Sequence, residues 1–484
     1  MRPILRSVAV AASILAPLSP ALAAPVLLAT GTLNGSAAGA GVDLSGLTGA
    51  LENCVPGNAL GGIGSGLAWA GGNSFVAVPD RGPNATSYNA AVDNTSSYVA
   101  RLQNVTLALT PGVGGAQGTL TPTLTGTTLL WSSTPLNYGT GAGLGTKSDG
   151  TPLGSGAPAI NGNGRYYFTG RSDNFGAGNS GNPNNARLDP EAVRVSRDGR
   201  SAFVSDEYGP YVYQFDRATG ERIRSYTLPG NLYVANLSPV GKNEDTPANT
   251  SGRVYNKGME GLAITPDGKT LVGVMQAPLI QDAAVKASAN LLRLVTIDVA
   301  TGATKEHGYL LTTGSGVSEI VALNDHEFLV DERDSKGLGD GTTAKVKQLF
   351  RIDLTGAADI TGLGGAAAVA AAVPKSAAVV DLVALLGANG VTADQVPAKI
   401  EGLAFGADTT VVANGVPTVL HTLYVANDND FVPGVSGPNT YYALGLTDAD
   451  LGAVFQAQAL AQAVPEPGTL AIVGAGLLGR RRRE

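Results

Sequence analysis

The sequence contains one cysteine, Cys54, and three histidines among its 484 residues. A single cysteine cannot form an internal disulfide. His307, His326 and His421 lie far apart and do not form the H-E-x-x-H pattern of a zinc hydrolase, so zinc chemistry is disfavoured. The G-x-S-x-G motif is also missing, which argues against a serine hydrolase of the α/β type.

Charged residues make up only 15% of the chain and aromatic residues 6%. Long helical patterns are scarce. Glycine is abundant, with 66 residues, and together with Asn and Pro it separates short runs that are rich in Val, Leu, Thr and Tyr. This composition is typical of an all-β protein with many turns.

The N-terminal residues 1–23 have the pattern of a secretory signal peptide. Arg2 and Arg6 precede an apolar stretch, and Ala21-Leu22-Ala23 provides an A-x-A cleavage site. We therefore expect the chain to be exported and to be cut by signal peptidase.

The C-terminal residues 464–484 combine a Pro-Glu-Pro motif, a short apolar run that ends at Leu478, and the arginines 480–483. The apolar run is shorter than the roughly 20 residues of an independent membrane span. This order resembles the PEP-CTERM sorting signal of Gram-negative bacteria. The resemblance implies transient membrane contact through the tail, processing by an exosortase, and delivery to the cell surface or extracellular matrix.

The body of the chain is acidic. The two ends carry six arginines and two glutamates, so the net charge of −7 becomes about −11 for residues 24–465. A strongly acidic body argues against a nucleic-acid partner and suits a protein that holds cations.

A short phrase recurs along the chain, and four of its five copies carry a glutamate. Each copy leads through a turn into an apolar strand that ends in polar residues. The copies are S-G-L-A-W from Ser65, P-E-A-V-R from Pro190, M-E-G-L-A-I from Met259, S-E-I-V-A-L from Ser318 and I-E-G-L-A-F from Ile400.

These repeats predict one large β-propeller domain over residues 60–460, with six blades favoured over seven. Radial repetition would bring equivalent residues of every repeat to one axis. In the N-terminal segment, residues 24–59, a strand over 26–33 could pair with the last blade and close the ring. We expect a monomer.

The apolar residues of the phrase are explained by hairpin formation and blade cores alone, but the glutamates are not, because unpaired carboxylates are costly to bury. They could form salt bridges with Arg81, Arg187, Arg333 and Lys399, or they could share a functional role. Carboxylates are hard ligands that suit Ca²⁺. The predicted calcium ligands are Asp80, Glu191, Asp206, Glu207, Glu319, Glu332, Asp428 and Asp430.

For catalysis we expect Glu260 or Glu401 to orient an attacking water as a general base. Arg81 and Arg333 stand beside strand-end acids and could bind a phosphate group in fork geometry. An acidic cluster repels a phosphate ester, so this chemistry requires bound cations.

The phrases together resemble the phytase-like family, described as having esterase-like activity of phytase. The resemblance implies a β-propeller and a hydrolase of phosphate esters or related esters. The segments that carry it are 65–82, 189–210, 258–271, 317–323 and 399–405.

The leading interpretation is a secreted, calcium-dependent hydrolase of a small ester or phosphate ester. The alternative is a non-catalytic surface propeller with structural calcium, which binds matrix polysaccharide or another protein. A calcium-assisted lactonase would share the acidic channel but would not need the arginines.

Overall fold

The computed structural model describes residues 24–33, 41–84, 93–113, 116–139, 156–172, 178–413 and 415–461. The predicted signal peptide and sorting signal therefore lie outside the described residues. Over the described ranges the chain consists mainly of antiparallel strands joined by turns.

The strands are, in chain order, β1 (Val26–Leu33), β2 (Gly41–Val42), β3 (Ala59–Leu60), β4 (Gly66–Gly71), β5 (Ser74–Val78), β6 (Arg101–Thr110), β7 (Thr119–Leu129), β8 (Trp131–Ser132), β9 (Tyr166–Tyr167), β10 (Pro190–Val195), β11 (Ser201–Asp206), β12 (Val212–Asp216), β13 (Arg222–Tyr226), β14 (Met259–Ile264), β15 (Thr270–Met275), β16 (Leu291–Asp298), β17 (Thr304–Leu310), β18 (Gly316–Ala322), β19 (Glu327–Arg333), β20 (Lys347–Asp353), β21 (Lys375–Asp381), β22 (Ile400–Phe405), β23 (Thr409–Ala413), β24 (Val416–Asn427) and β25 (Asn439–Leu446). The helices are short: α1 (Ile280–Ala283), α2 (Gly365–Ala370), α3 (Leu382–Ala388), α4 (Pro433–Ser436) and α5 (Asp448–Leu451), with 3₁₀ turns at Glu52–Cys54, Gly230–Leu232, Gly241–Glu244 and Lys286–Ser288.

The prediction of an all-β propeller is confirmed, but the prediction of six or seven blades is wrong. Within the described residues five blades form: β4 to β7, β10 to β13, β14 to β17, β18 to β21, and β22, β24, β25 and β1. Their inner strands β4, β10, β14, β18 and β22 contact one another in a closed ring. The long strand β7 does not begin a blade of its own, because it pairs along β6 as the outer strand of blade 1.

The ring is closed by the two ends of the domain. Strand β1 pairs antiparallel with β25, from Val26 opposite Gly445 to Leu33 opposite Asn439. The fourth strand of blade 5 is therefore supplied from the start of the chain. This arrangement protects a sheet edge without a disulfide.

The core lies between the faces of neighbouring blades. One apolar cluster joins Val76 of blade 1 to Val204 of blade 2, and a second joins Phe203 of blade 2 to Leu271 of blade 3. Further clusters continue from blade 3 to blade 4, from blade 4 to blade 5, and from blade 5 back to blade 1. Each fully buried aliphatic side chain contributes about 1.5–3 kcal/mol, so stability depends on complete closure of the ring.

The chain after α5 runs beneath the ring, across the end of the channel where the inner strands finish. Backbone N–H groups of Gln456, Ala459 and Ala461 donate to carbonyls of Leu323, Pro266 and Arg197, which belong to blades 4, 3 and 2. Among the described residues, no helix combines the length and apolar composition that crossing a membrane requires.

Candidate functional site

The phrase and the polar strand ends meet at one end of each blade. The inner strand begins where the second strand finishes, because the two are antiparallel: Pro190 lies opposite Asp206, Met259 opposite Met275, and Ile400 opposite Asn427. The start of every inner strand therefore lies at the same end of the central channel, which we call the upper end.

A β-bulge turns the phrase glutamates towards the axis. The pairing register shifts between Pro190 and Val193, between Met259 and Gly261, and between Ile400 and Leu403. Bulges of this kind redirect a side chain next to a site.

The glycine that follows the glutamate permits close approach of neighbouring inner strands. A Cβ atom on Gly261 would lie 2.8 Å from the Ile320 backbone nitrogen, and one on Gly66 would lie 2.8 Å from the Glu191 carbonyl oxygen. These distances are too short for a Cβ atom, so glycine is required at 66 and 261, whereas the second repeat has Ala192 at this place.

In the fourth repeat the glutamate is displaced by one position. The register shift falls between Val317 and Glu319, so Ser318 occupies the glutamate place and Glu319 the glycine place. The aligned positions are therefore Ser65, Glu191, Glu260, Ser318 and Glu401. The apolar residues Leu67, Val193, Leu262, Ile320 and Leu403 carried the signal for this alignment.

A cavity of about 280 Å³ opens at the upper end of the channel. It brings together seven of the predicted site residues with three other charged side chains and several uncharged polar ones. The predicted residues in its lining are Arg81, Glu191, Glu207, Glu260, Arg333, Glu401 and Asp430, and the others include Lys257, Asp340 and Lys399.

Two groups of three carboxylates lie at this cavity among the described residues. One is Asp189, Glu191 and Glu207, and the other is Asp80, Asp428 and Asp430; within each group the oxygens lie within 4.8 Å of one another. Such spacing and hard oxygen donors fit a divalent cation.

The first group, which we call the open triad, retains oxygens without hydrogen bonds. Within the described chain, Glu207 Oε1 and the nearby Glu260 Oε2 are buried and have no hydrogen-bond partner. Asp189 is held by Arg81, which donates its backbone N–H at 2.7 Å and its Nη1 at 3.3 Å.

The second group, which we call the filled triad, already surrounds a cation of the chain itself. Lys399 Nζ lies 2.6 Å from Asp428 Oδ2, 2.6 Å from Asp430 Oδ1 and 4.0 Å from Asp80 Oδ2. Sequence reasoning considered Lys399 only as a salt-bridge partner.

Arg333 links two of the phrase glutamates. Its Nη2 lies 3.3 Å from Glu260 Oε1 and 2.7 Å from Glu401 Oε1, and its Nε donates to Ser318 Oγ. Ser65 Oγ donates to the other oxygen of Glu401 at 3.2 Å. These contacts connect four neighbouring repeats at the cavity floor.

The negative charge of the carboxylates at the cavity exceeds the positive charge of Arg81, Arg333 and Lys399. Burial raises the pKa of Glu191 well above its ordinary value, and the charges of Glu260, Asp189, Glu207 and Glu401 raise it further. Burial also raises the pKa of Glu401 to about 8, although Lys399 and Arg333 lower it. A bound cation would relieve this repulsion.

Three predicted metal ligands belong to neither triad. Asp206 accepts the backbone N–H groups of Asp189 and Gly209 and so fixes the loop that carries the open triad. Glu319 pairs with Arg194 at 2.9 Å, and Arg194 also donates to carbonyls of blades 1 and 4 across the channel.

Glu332, the third of these residues, faces away from the cavity because alternate residues of a strand point to opposite sides. It accepts hydrogen bonds from the Tyr309 hydroxyl at 2.6 Å and the Thr313 backbone at 2.9 Å, and it pairs with Lys375. Burial raises the pKa of its carboxyl, but these partners lower it to about 2.

The variant Glu332→Gln should be less stable than the natural protein by about 3 kcal/mol near pH 6, at about 1.4 kcal/mol per pKa unit. Because the folded-state pKa is depressed, this stabilisation is present above the unfolded value of 4.5 and is lost as the pH falls towards 2. Denaturant unfolding of both proteins at several pH values measures this difference in unfolding free energy. A gap that does not change between pH 6 and pH 3 would contradict the assignment.

Sequence reasoning missed Asp189 as a site residue and underrated Lys399. Each stands two positions before a phrase glutamate, Asp189 before Glu191 and Lys399 before Glu401. Residues two apart on a strand share a face, so this spacing was the available signal.

Comparisons with known proteins agree with this architecture. The profile of the phytase-like family, described as esterase-like activity of phytase, matches residues 58–431. A PEP-CTERM protein-sorting motif matches residues 463–483, which implies export and processing by sorting machinery of the exosortase type.

A protein of Arthroderma benhamiae, described as an uncharacterized secreted protein, is 29% identical over 332 residues. The match covers 58% of this chain and 60% of that relative, so the chain spans less than two thirds of its length.

Two similar solved structures have low sequence identity and low TM-scores. A luciferin-regenerating enzyme has 11% identity and a TM-score of 0.31, with 83% of this chain and 96% of that chain covered. A periplasmic gluconolactonase of Pseudomonas aeruginosa has 13% identity and a TM-score of 0.30, with 87% and 96% covered.

Proposed function

Because the chain belongs to the phytase-like family, we propose that it is an exported, surface-associated hydrolase of small esters or phosphate esters that uses calcium. The observation that carries the proposal is the convergence of Glu191, Glu207, Glu260 and Glu401 with Arg81 in one cavity. Unpaired buried carboxylates are costly, and they persist where a site needs them.

Calcium fits the open triad. The ion takes about six to eight oxygen ligands, and Asp189, Glu191 and Glu207 supply carboxylates from one blade, with Glu260 beside them. When bound, the cation would offset the charge of substrate oxygens and lower the pKa of a water.

Three residues of the chain take the remaining roles in the proposed reaction. Glu260 presents one unpartnered oxygen beside the open triad and serves as the base that takes a proton from the attacking water. Arg333 acts as a positioning residue, since its guanidinium is occupied by Glu260 and Glu401. Arg81 lies at the cavity wall, half-buried, and binds the anionic part of the substrate.

Hydrolysis of a chromogenic phosphate monoester and a chromogenic carboxylic ester tests the proposal directly. We expect turnover of at least one ester in the presence of calcium and at least a tenfold loss with a chelator, because the carboxylates would then repel the substrate. No turnover on either ester, together with a large fall in melting temperature on chelation, would instead identify a binding module with structural calcium.

A further inference from the structure

The two acidic triads at the cavity differ in how their charge is balanced. They lie on either side of Arg81, whose Nη1 is 3.3 Å from Asp189 Oδ2 and 4.0 Å from Asp80 Oδ2. Both have oxygens close enough to share a divalent ion. Composition and spacing alone would therefore suggest two metal ions.

The filled triad has no need of an ion. The Lys399 ammonium lies between Asp428 and Asp430 at 2.6 Å from each and donates to both carboxylates. Asp428 Oδ1 also accepts the Asp430 backbone N–H at 2.7 Å. An ammonium with two short charge-assisted hydrogen bonds occupies the place that a metal ion would take.

Among the described residues, no lysine ammonium lies between the carboxylates of the open triad. The closest guanidinium, that of Arg81, contacts Asp189 and not the two glutamates of the triad. Glu207 Oε1 and Glu260 Oε2, both buried, are without hydrogen-bond partners in the described part of the chain. Glu260 comes from the next blade, so an independent element also presents an oxygen to this place.

We propose that the cavity binds a single divalent cation, at Asp189, Glu191 and Glu207, and that Lys399 is a built-in cation that keeps a second ion out of Asp80, Asp428 and Asp430. The inference rests on the proposed function only in that it assumes metal binding. It does not depend on which ester, if any, is hydrolysed.

Exclusion of a second ion follows from charge. A divalent ion placed among Asp80, Asp428 and Asp430 would meet the ammonium of Lys399 within contact distance of its own ligands. Like charges so close together disfavour binding strongly in a partly buried site. Lys399 therefore supplies a positive charge that a chelator cannot remove.

Calorimetric titration of the chelator-treated protein with Ca²⁺ tests the proposal by stoichiometry. The natural protein should bind one Ca²⁺ ion. In Glu207→Gln the affinity for this ion should fall at least tenfold. Lys399→Met should bind two Ca²⁺ ions. Lys257→Met is the matched control, since Lys257 lines the same cavity but its Nζ, among the described residues, bonds only the Gln276 side chain at 3.0 Å. That control should still bind one ion.

A second measurement covers the case in which Lys399→Met folds poorly. Calcium should then raise its melting temperature more than that of the natural protein, and adding Asp428→Asn should restore folding and return the stoichiometry to one. Binding of two ions by the natural protein, or of one ion by a folded Lys399→Met variant, would overturn this inference but not the proposed function. A natural protein that binds no Ca²⁺ would overturn the calcium dependence in the proposed function as well.

Discussion

Replacement of Glu260 by glutamine is expected to lower kcat/KM for the responsive ester at least tenfold while the propeller stays folded. The amide cannot take a proton from water or ligate a cation, and general-base catalysis is worth about 10²–10⁴-fold in rate. Arg333 keeps its 2.7 Å contact with Glu401, so the cavity floor should persist. Steady-state kinetics with saturating calcium, alongside thermal unfolding, measures both effects.

The same substitution should also raise the melting temperature when calcium is absent. It removes one of several buried carboxylates that repel each other around Glu191, while Arg333 keeps its shorter contact with Glu401. A gain in stability accompanied by a loss of turnover is typical of a functional residue and not of a structural one.

Glu306→Gln is a closely matched control for this experiment. Glu306 is also buried, contacts one arginine, Arg293, at 3.3 Å, and keeps one oxygen without a hydrogen bond within the described residues. It lies on β17, the outer strand of blade 3. We expect no change in turnover per folded molecule. Equal losses in Glu260→Gln and Glu306→Gln would show that Glu260 acts through stability alone.

The repeated phrase made the propeller predictable, because each copy begins one inner strand. Counting phrases gives the observed number of blades, whereas counting strands does not. The long strand Thr119–Leu129 pairs with Arg101–Thr110 in blade 1. In the described parts of the segment that follows, Trp131–Ser132 pairs with Tyr166–Tyr167. Nothing in the residues of β7 distinguishes an outer strand from the start of a new blade.

The sequence allowed most of the site residues to be predicted, but not which of these side chains contact one another. Glu191, Glu260 and Glu401 meet because inner strands start at one end of a propeller, which a repeat pattern implies. The position of Lys399 between Asp428 and Asp430 depends instead on how the start of β22 packs against the end of β24. The one-residue displacement of Glu319 depends on a bulge, which short sequence patterns do not mark.

The architecture makes the site depend on a strand that lies far from it. Asp80 belongs to blade 1, whereas Lys399, Glu401 and Asp428 belong to blade 5. These two blades are held side by side by β1, which pairs with β25 and packs against β7. The filled triad therefore assembles when the ring closes.

The variant Ala29→Asp should for this reason lose about 3 kcal/mol or more of unfolding free energy, the cost of a buried charge without a partner. Ala29 is fully buried and lies opposite Ala443 in the closing pair, so the carboxylate would enter the core between blades 5 and 1. Thr30→Asp places the same carboxylate on the exposed side of the strand and should cost little. Denaturant unfolding compares the two variants. If Ala29→Asp matched Thr30→Asp in unfolding free energy, β1 would not hold the ring.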